Sequence, residues 1–315
     1  MPRPIRLVDT EHPEYAKRLS AEGRKWGGHL AVETVREMHA WLDHPSVSAH
    51  YAFRRLIAGL SWRQWVSRHF GGPANRSLEL GCGSASLSLE LFKLGSTREI
   101  EGVDASPERV QEAENQRAAV RAPGRFSAGD ANSASLEPGH YDLIVSSHSF
   151  HHFLELERIM EKVHRALTPR GLFILEEFVG PTQFQWTDAQ IETTKSLMAL
   201  IPERYRLLRW GVVKPYEGRP TVEDVVAASP FESIRSAEIV PLFEKVFRVL
   251  HRKNFGGTIQ HLLYNGIIHN FPPGDLATEQ ILSGIWEVED ALVDSGLLPS
   301  DFQLLIGTRQ SDSRS

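Results

Sequence analysis

From residue 77 to residue 178, short apolar runs alternate with helix-patterned segments, and this alternation restricts the fold more than any other feature of the chain. "SLEL" (77–80), "EIEGV" (99–103), "RFSAG" (125–129), "YDLIVS" (141–146) and "LFILEEF" (172–178) read as strands. Between them, "ASLSLELFKL" is a helix stopped by Gly95, "SPERVQEAENQRAAV" opens with Ser106 as cap and Pro107 at the first helical position, and "LELERIMEKVHRAL" has a helical period. Strands joined by helices need crossover connections, so the sheet is expected to be parallel. The strand-like "EKVFRVLHRK" (244–253) and "DFQLLIGTR" (301–309) bring the count to seven. The expected class is α/β: a doubly wound, mostly parallel, seven-stranded Rossmann-like sheet with helical additions at the N-terminus and in the C-terminal half.

The first strand runs into "LELGCGSAS" (78–86), a glycine turn opening a helix, which brings bare backbone against a nucleotide-like ligand. A P-loop would need Lys-Ser/Thr after its second glycine, and none is present. A dinucleotide fingerprint would place a third glycine where Ser86 stands, which weakens that reading without removing it. Asp104 ends the second strand, placed to accept ribose hydroxyls, and Asp130 ends the third, placed to accept from an exocyclic amine.

In this order and spacing, "LELGCGSAS", "GVDAS", "AGDA", "YDLIVSSHSFHHF" and "LTPRGLFILEE" resemble the class I S-adenosylmethionine-dependent methyltransferases. "FVGPTQFQW" with "NFGGTIQHLLYNGI" is similar to a bacterial small-molecule subgroup of them. The resemblance implies S-adenosyl-L-methionine as cofactor, an antiparallel last strand, and a cofactor site made by Glu79, Gly81, Cys82, Gly83, Asp104, Ala105, Asp130, Ala131 and Ser146. Gly81 and Gly83 would pass the methionine portion, Asp104 would bind the ribose, and Asp130 with Ala131 would meet the adenine. Members often carry glycine where Ala85 stands.

The chemistry is expected at the strand exits. Three histidines, His148, His151 and His152, follow the fourth strand. His151 is the expected general base, with an ordinary imidazole pKa near neutrality. His148 would line the cofactor, and His152 would cap or pack under the next helix. Glu176 and Glu177 should point to opposite faces of the fifth strand, with Glu177 facing the site. These residues supply no third firm ligand beside His148 and His151, so no metal is expected. His261, Tyr264 and His269 on one helix, with Phe184, Trp186 and Trp210, would bound the acceptor.

The 315 residues carry a net charge of −5 and one cysteine, which argues against nucleic acid as a partner and against a disulfide or multi-thiolate metal site. No apolar run approaches the roughly 20 residues a membrane span needs, and the start lacks a secretory core, so a cytoplasmic protein with no membrane partner is expected. Its oligomeric state is not readable. Three segments are expected: a helical cap over 1–75, including "AVETVREMHAWL" with Val32, Val35, Met38 and Leu42 in register, a cofactor-binding core over 76–180, and an acceptor-forming segment over 181–310. The expected activity is methyl transfer to a small-molecule hydroxyl or amine, on a sugar or secondary metabolite. A non-catalytic cofactor-binding regulatory module is the first alternative, and a nicotinamide-dependent oxidoreductase the second.

Overall fold

The computed structural model describes residues 10–11, 13–28, 40–215 and 218–310. The strands are β1 (Ala74–Leu80), β2 (Thr97–Asp104), β3 (Gly124–Ala128), β4 (Tyr141–Ser147), β5 (Leu167–Phe178), β6 (Phe247–Gly256) and β7 (Phe302–Arg309). They form one sheet in the order β3-β2-β1-β4-β5-β7-β6. All pairings from β3 to β5 are parallel, and β7 lies antiparallel between β5 and β6. The strand order reverses between β1 and β4, which opens the crevice where ligands bind in such sheets.

Before the sheet come α1 (Pro13–Gly28), α2 (Pro45–Arg54) and α3 (Trp62–Phe70). Crossovers are made by α4 (Ser86–Lys93), α5 (Pro107–Ala119) and α6 (Leu156–Ala166). The C-terminal half adds α7 (Asp188–Leu200), α8 (Val222–Ala228), α9 (Ile239–Val246), α10 (Gln260–Tyr264) and α11 (Leu276–Asp294). Successive side chains of β4 face opposite layers: Leu143 and Val145 join a core with Val47 and Trp62, whereas Ile144 packs with Ile159 and Met160 of α6. With both faces covered, the strand reads as an unbroken apolar run.

Several expectations shift. The strand expected over 172–178 begins earlier, at Leu167, so that "LTPRG" forms its first residues, carried by an irregularity in the pairing with β4. The sixth strand begins at Phe247, because α9 continues through Val246. "GGTIQHLLYNGIIHNF" is not one helix: α10 ends at Tyr264, Gly266 takes a left-handed φ of 77°, and His269 falls in a separate 3-10 turn. Of the "AVETVREMHAWL" positions, Val32, Val35 and Met38 lie outside the described residues, and Leu42 sits in a 3-10 turn.

Candidate active site

A cavity of about 370 Å³ opens beyond the carboxyl ends of β1, β2 and β4. Its cofactor-type wall is local. Val103 O accepts from the N–H of Gly81 and of Cys82, which bends the chain out of β1. Gly81 has a φ of 71°, and a Cβ there would lie 2.4 Å from Ser149 Oγ, so the turn tolerates no side chain. Asp104 accepts from Gly83 N at 2.8 Å and from Ser106 N at 2.9 Å, tying the glycine turn to the start of α5. Ser106 in turn caps α5 by accepting from Arg109 N. Asp130 accepts from Asn132 N and, at 3.0 Å, from the Tyr15 hydroxyl of α1.

Glu79, Gly81, Cys82, Gly83, Asp104, Ala105, Asp130 and Ala131 all line this cavity. Ser146 does not: it is buried, and its hydroxyl donates to Leu80 O, while Ser147 and Ser149 take the lining positions. Burial pushes the Glu79 carboxyl up to about 7, against hydrogen bonds from Ser88. Cys82 is buried and its thiol is pushed well up by that burial, the state of an inert packing residue. Ala85 occupies a left-handed conformation, φ 65°, which explains why glycine suits that position.

The opposite wall comes from the β4 exit and from distant chain segments. Glu176 and Glu177 do face opposite ways. Glu176 accepts from Arg55 and Trp62, holding the N-terminal helices to the sheet. Glu177 is fully buried and accepts from the backbone N–H groups of Ser149, Phe150 and Phe178, and pairs with His151 Nδ1. Burial would raise its pKa, but the neighbouring His151 keeps it below the ordinary carboxylate value. Glu177 does not line the cavity.

His151 departs from its expected chemistry. Burial alone would lower its pKa, but Glu177 on one nitrogen and Glu232 at 3.4 Å from the other raise it to about 10. A ring held as imidazolium between two carboxylates has no lone pair for a substrate proton, so the expectation of a base poised near neutrality fails. His148 fits that task better. It lines the cavity, its Nε2 lies 3.9 Å from Glu176, and burial lowers its pKa although Glu176 opposes this. Its φ of 51° is the kind of backbone strain that functional positions retain. His152, expected to pack under a helix, instead lines the cavity, with Nδ1 3.2 Å from Glu22 of α1.

Helix α1 was not readable as part of the site. Leu19, Glu22, Gly23 and Trp26 close the cavity. A Cβ on Gly23 would lie 2.6 Å from Ala105 O, so the helix sits directly on the turn after β2. The one available signal was the Gly23 and Gly27 spacing, which places two small residues on one helix face. Farther out, Phe184 stacks on Trp186, and the half-buried His261 lies edge-on to both, its pKa lowered to about 4 by desolvation. Tyr264 is buried and His261 partly so, whereas Trp210 is 74% exposed and forms no wall.

A parallel sheet in this order, with a glycine turn after β1, acids after β2 and β3, and an antiparallel β7, defines a Rossmann-like methyltransferase fold. A methyltransferase-domain family model matches residues 73–228. Residues 73–228, just under half of the chain, thus carry a methyltransferase domain of the S-adenosylmethionine-dependent class. The chain is 30% identical over 115 residues to an uncharacterised methyltransferase of Synechocystis sp., covering 36% of this chain and 51% of that one. It is 27% identical over 125 residues to a demethylmenaquinone methyltransferase of Thermus thermophilus, covering 39% and 57%. The chain thus spans about half the length of these curated relatives. Geranyl diphosphate C-methyltransferase from Streptomyces coelicolor shares the fold, with a TM-score of 0.54 at 11% identity over 96% of this chain and 100% of that one. Among the described residues, no helix is long and apolar enough to cross a membrane.

Proposed function

We propose that this chain methylates a hydroxyl on a flat, largely apolar small molecule. The carrying observation is one cavity that combines the Gly81–Gly83 turn, Asp104 and Asp130 with His148, Trp26, Phe153 and Phe231. Its aromatic lining suits a ring system better than a sugar, in keeping with the quinone named for one relative. When bound, S-adenosylmethionine supplies an already activated methyl group for in-line displacement.

In this reading, the chain contributes alignment and one proton transfer. Gly81 and Gly83 admit the cofactor close to the backbone. Asp104 receives the ribose hydroxyls, and Asp130, shared with Tyr15, faces the adenine amine. His148, whose backbone N–H donates to Glu176 O, accepts the proton of the acceptor hydroxyl. We assign the acceptor side to α1 and to residues from the 181–310 segment, chiefly Phe231.

Calorimetric titration with S-adenosylhomocysteine and transfer of a labelled methyl group to hydroxylated aromatic acceptors test this. Wild type should bind S-adenosylhomocysteine, and Asp104→Ala should weaken binding by about 10²-fold through the loss of charged hydrogen bonds. Tight NADH binding without a response to S-adenosylhomocysteine would refute the reading. A second reading, a binding module without catalysis, is favoured by the fully paired state of His151 and Glu177. It predicts cofactor binding with no labelled product from any acceptor.

A further inference from the structure

We propose that His151, His152 and Glu232 bind a divalent transition-metal ion at the edge of the cavity. One ligand atom from each lies within 4.8 Å of the others. His151 Nε2 and Glu232 Oε1 are 3.4 Å apart, the separation of two donors that share one ion at bonds of about 2.0–2.2 Å in tetrahedral geometry.

The surroundings are those of a metal centre as well. Metal-ligating imidazoles characteristically give their second nitrogen to a carboxylate, which fixes the tautomer and aims the first nitrogen. His151 has that partner in Glu177 on Nδ1, and Glu22 Oε1 lies 3.2 Å from His152 Nδ1 as a charge partner, although no hydrogen bond joins them. Glu177 is itself fixed by three backbone N–H groups. The segment carrying Glu232 is tied to the histidine turn by the hydrogen bond from Ile234 N to His151 O. Glu22 Oε2 is buried without a hydrogen-bond partner.

Three carboxylates, Glu22, Glu177 and Glu232, thus converge on two imidazoles, with Lys25 at 4.0 Å from Glu232 as a nearby cation. Binding requires His151 to release the proton it holds between the carboxylates, and a dication in its place, together with Lys25, balances the three carboxylate charges. Two imidazoles and one carboxylate select zinc, cobalt, nickel or ferrous iron over calcium or magnesium. His152 lines the cavity, so the open coordination position faces it. Resting on the methyl-transfer reading, that position takes an oxygen of the acceptor and holds it beside the transferred methyl.

The test is titration of the whole chain with Zn²⁺ by calorimetry and with Co²⁺ by visible absorption, with circular dichroism checking that each variant is folded. Wild type should bind one equivalent, and Co²⁺ should give the intense bands of a low-coordinate site. His152→Ala and Glu232→Gln should each weaken binding at least about tenfold, while His251→Ala, a histidine outside the cluster, should not. Zn²⁺ should raise the melting temperature of wild type but not of Glu232→Gln. Substoichiometric binding by wild type, or equal binding by the cluster variants, would overturn the site. Stoichiometric binding without methyl transfer would uphold the site and count against the acceptor reading, whereas transfer without metal binding would overturn the site alone.

Discussion

The cavity wall formed by the ends of β1, β2 and β3 is made of residues within a few positions of the strands that hold them. The facing wall takes His148 and His152 from the chain just after β4, Glu22 and Trp26 from α1, and Phe231 from the C-terminal half. On the first wall, Gly81 and Asp104 do the same job wherever strand, turn and helix follow in that order. On the second, a residue's chemistry is set by which distant carboxylate meets it. His148 and His151, three positions apart, are pushed in opposite directions: the pKa of His148, whose side chain is 38% exposed into the cavity, is lowered by desolvation, and that of His151 is raised to about 10 by two carboxylates despite burial.

The sharpest way to break this contrast is to exchange the two histidines for alanine. If the acceptor is a hydroxyl, His148→Ala should slow single-turnover transfer by about 10²–10⁴ at saturating cofactor, with S-adenosylhomocysteine affinity nearly unchanged. His151→Ala should act on folding and on the proposed metal site, with a smaller effect on metal-free transfer than His148→Ala. It leaves Glu177 buried without its cation, and denaturant unfolding should show a loss of about 3 kcal/mol. Transfer slowed only by His151→Ala would reverse the assignment.

A pH series examines the aromatic region behind the histidine wall. Burial raises the carboxyl of Asp301, which accepts from Trp186 and Gln190, to about 7, from an ordinary value of 3.8. Between those values the folded chain keeps a proton that the unfolded chain has released, so stability should fall as pH rises from about 4 to about 7, by at most about 1.4 kcal/mol per pH unit. Asp301→Asn should flatten that slope in pH-dependent melting curves, and an unchanged slope would show that Asp301 is not the group responsible.

Smaller effects probe how α1 and the glycine turn serve the first wall. Tyr15→Phe removes the hydroxyl that donates to Asp130 and loosens the helix over the cavity. Calorimetry should find S-adenosylhomocysteine bound about threefold to tenfold more weakly, the worth of one such hydrogen bond. Ala85→Gly relieves a left-handed residue, worth about 1–2 kcal/mol, at the loss of one buried methyl, worth about 0.8, so unfolding should show a gain of under about 1 kcal/mol. A loss would mean that the Ala85 methyl packs more than it strains.

Much of the first wall was legible because its signals are local. The alternation from 77 to 178 fixed the strand–helix order, and the residues of the glycine turn, Asp104 and Asp130 come together to line one cavity. Ser146 was misread because one residue along a strand exchanges the buried face for the open one. Trp210 was misread because composition does not reveal whether an aromatic in an irregular segment turns inward, and His269 because its turn is separate from the helix of His261 and Tyr264. The left-handed Gly266 ends a helix that hydropathy would have continued.

The sequence by itself determined the sheet's parallel part, the turn at Gly81 and Gly83, and the acids that follow β2 and β3, since each depends on backbone geometry and near neighbours. Tertiary structure alone decided that α1 closes the cavity, that Glu176 anchors the N-terminal helices while Glu177 pairs with His151, and that His152 rather than His151 reaches the open space. Those outcomes depend on charges and packing between residues far apart in the chain. In a buried, low-dielectric wall, a partner a few ångströms away outweighs a side chain's intrinsic preference.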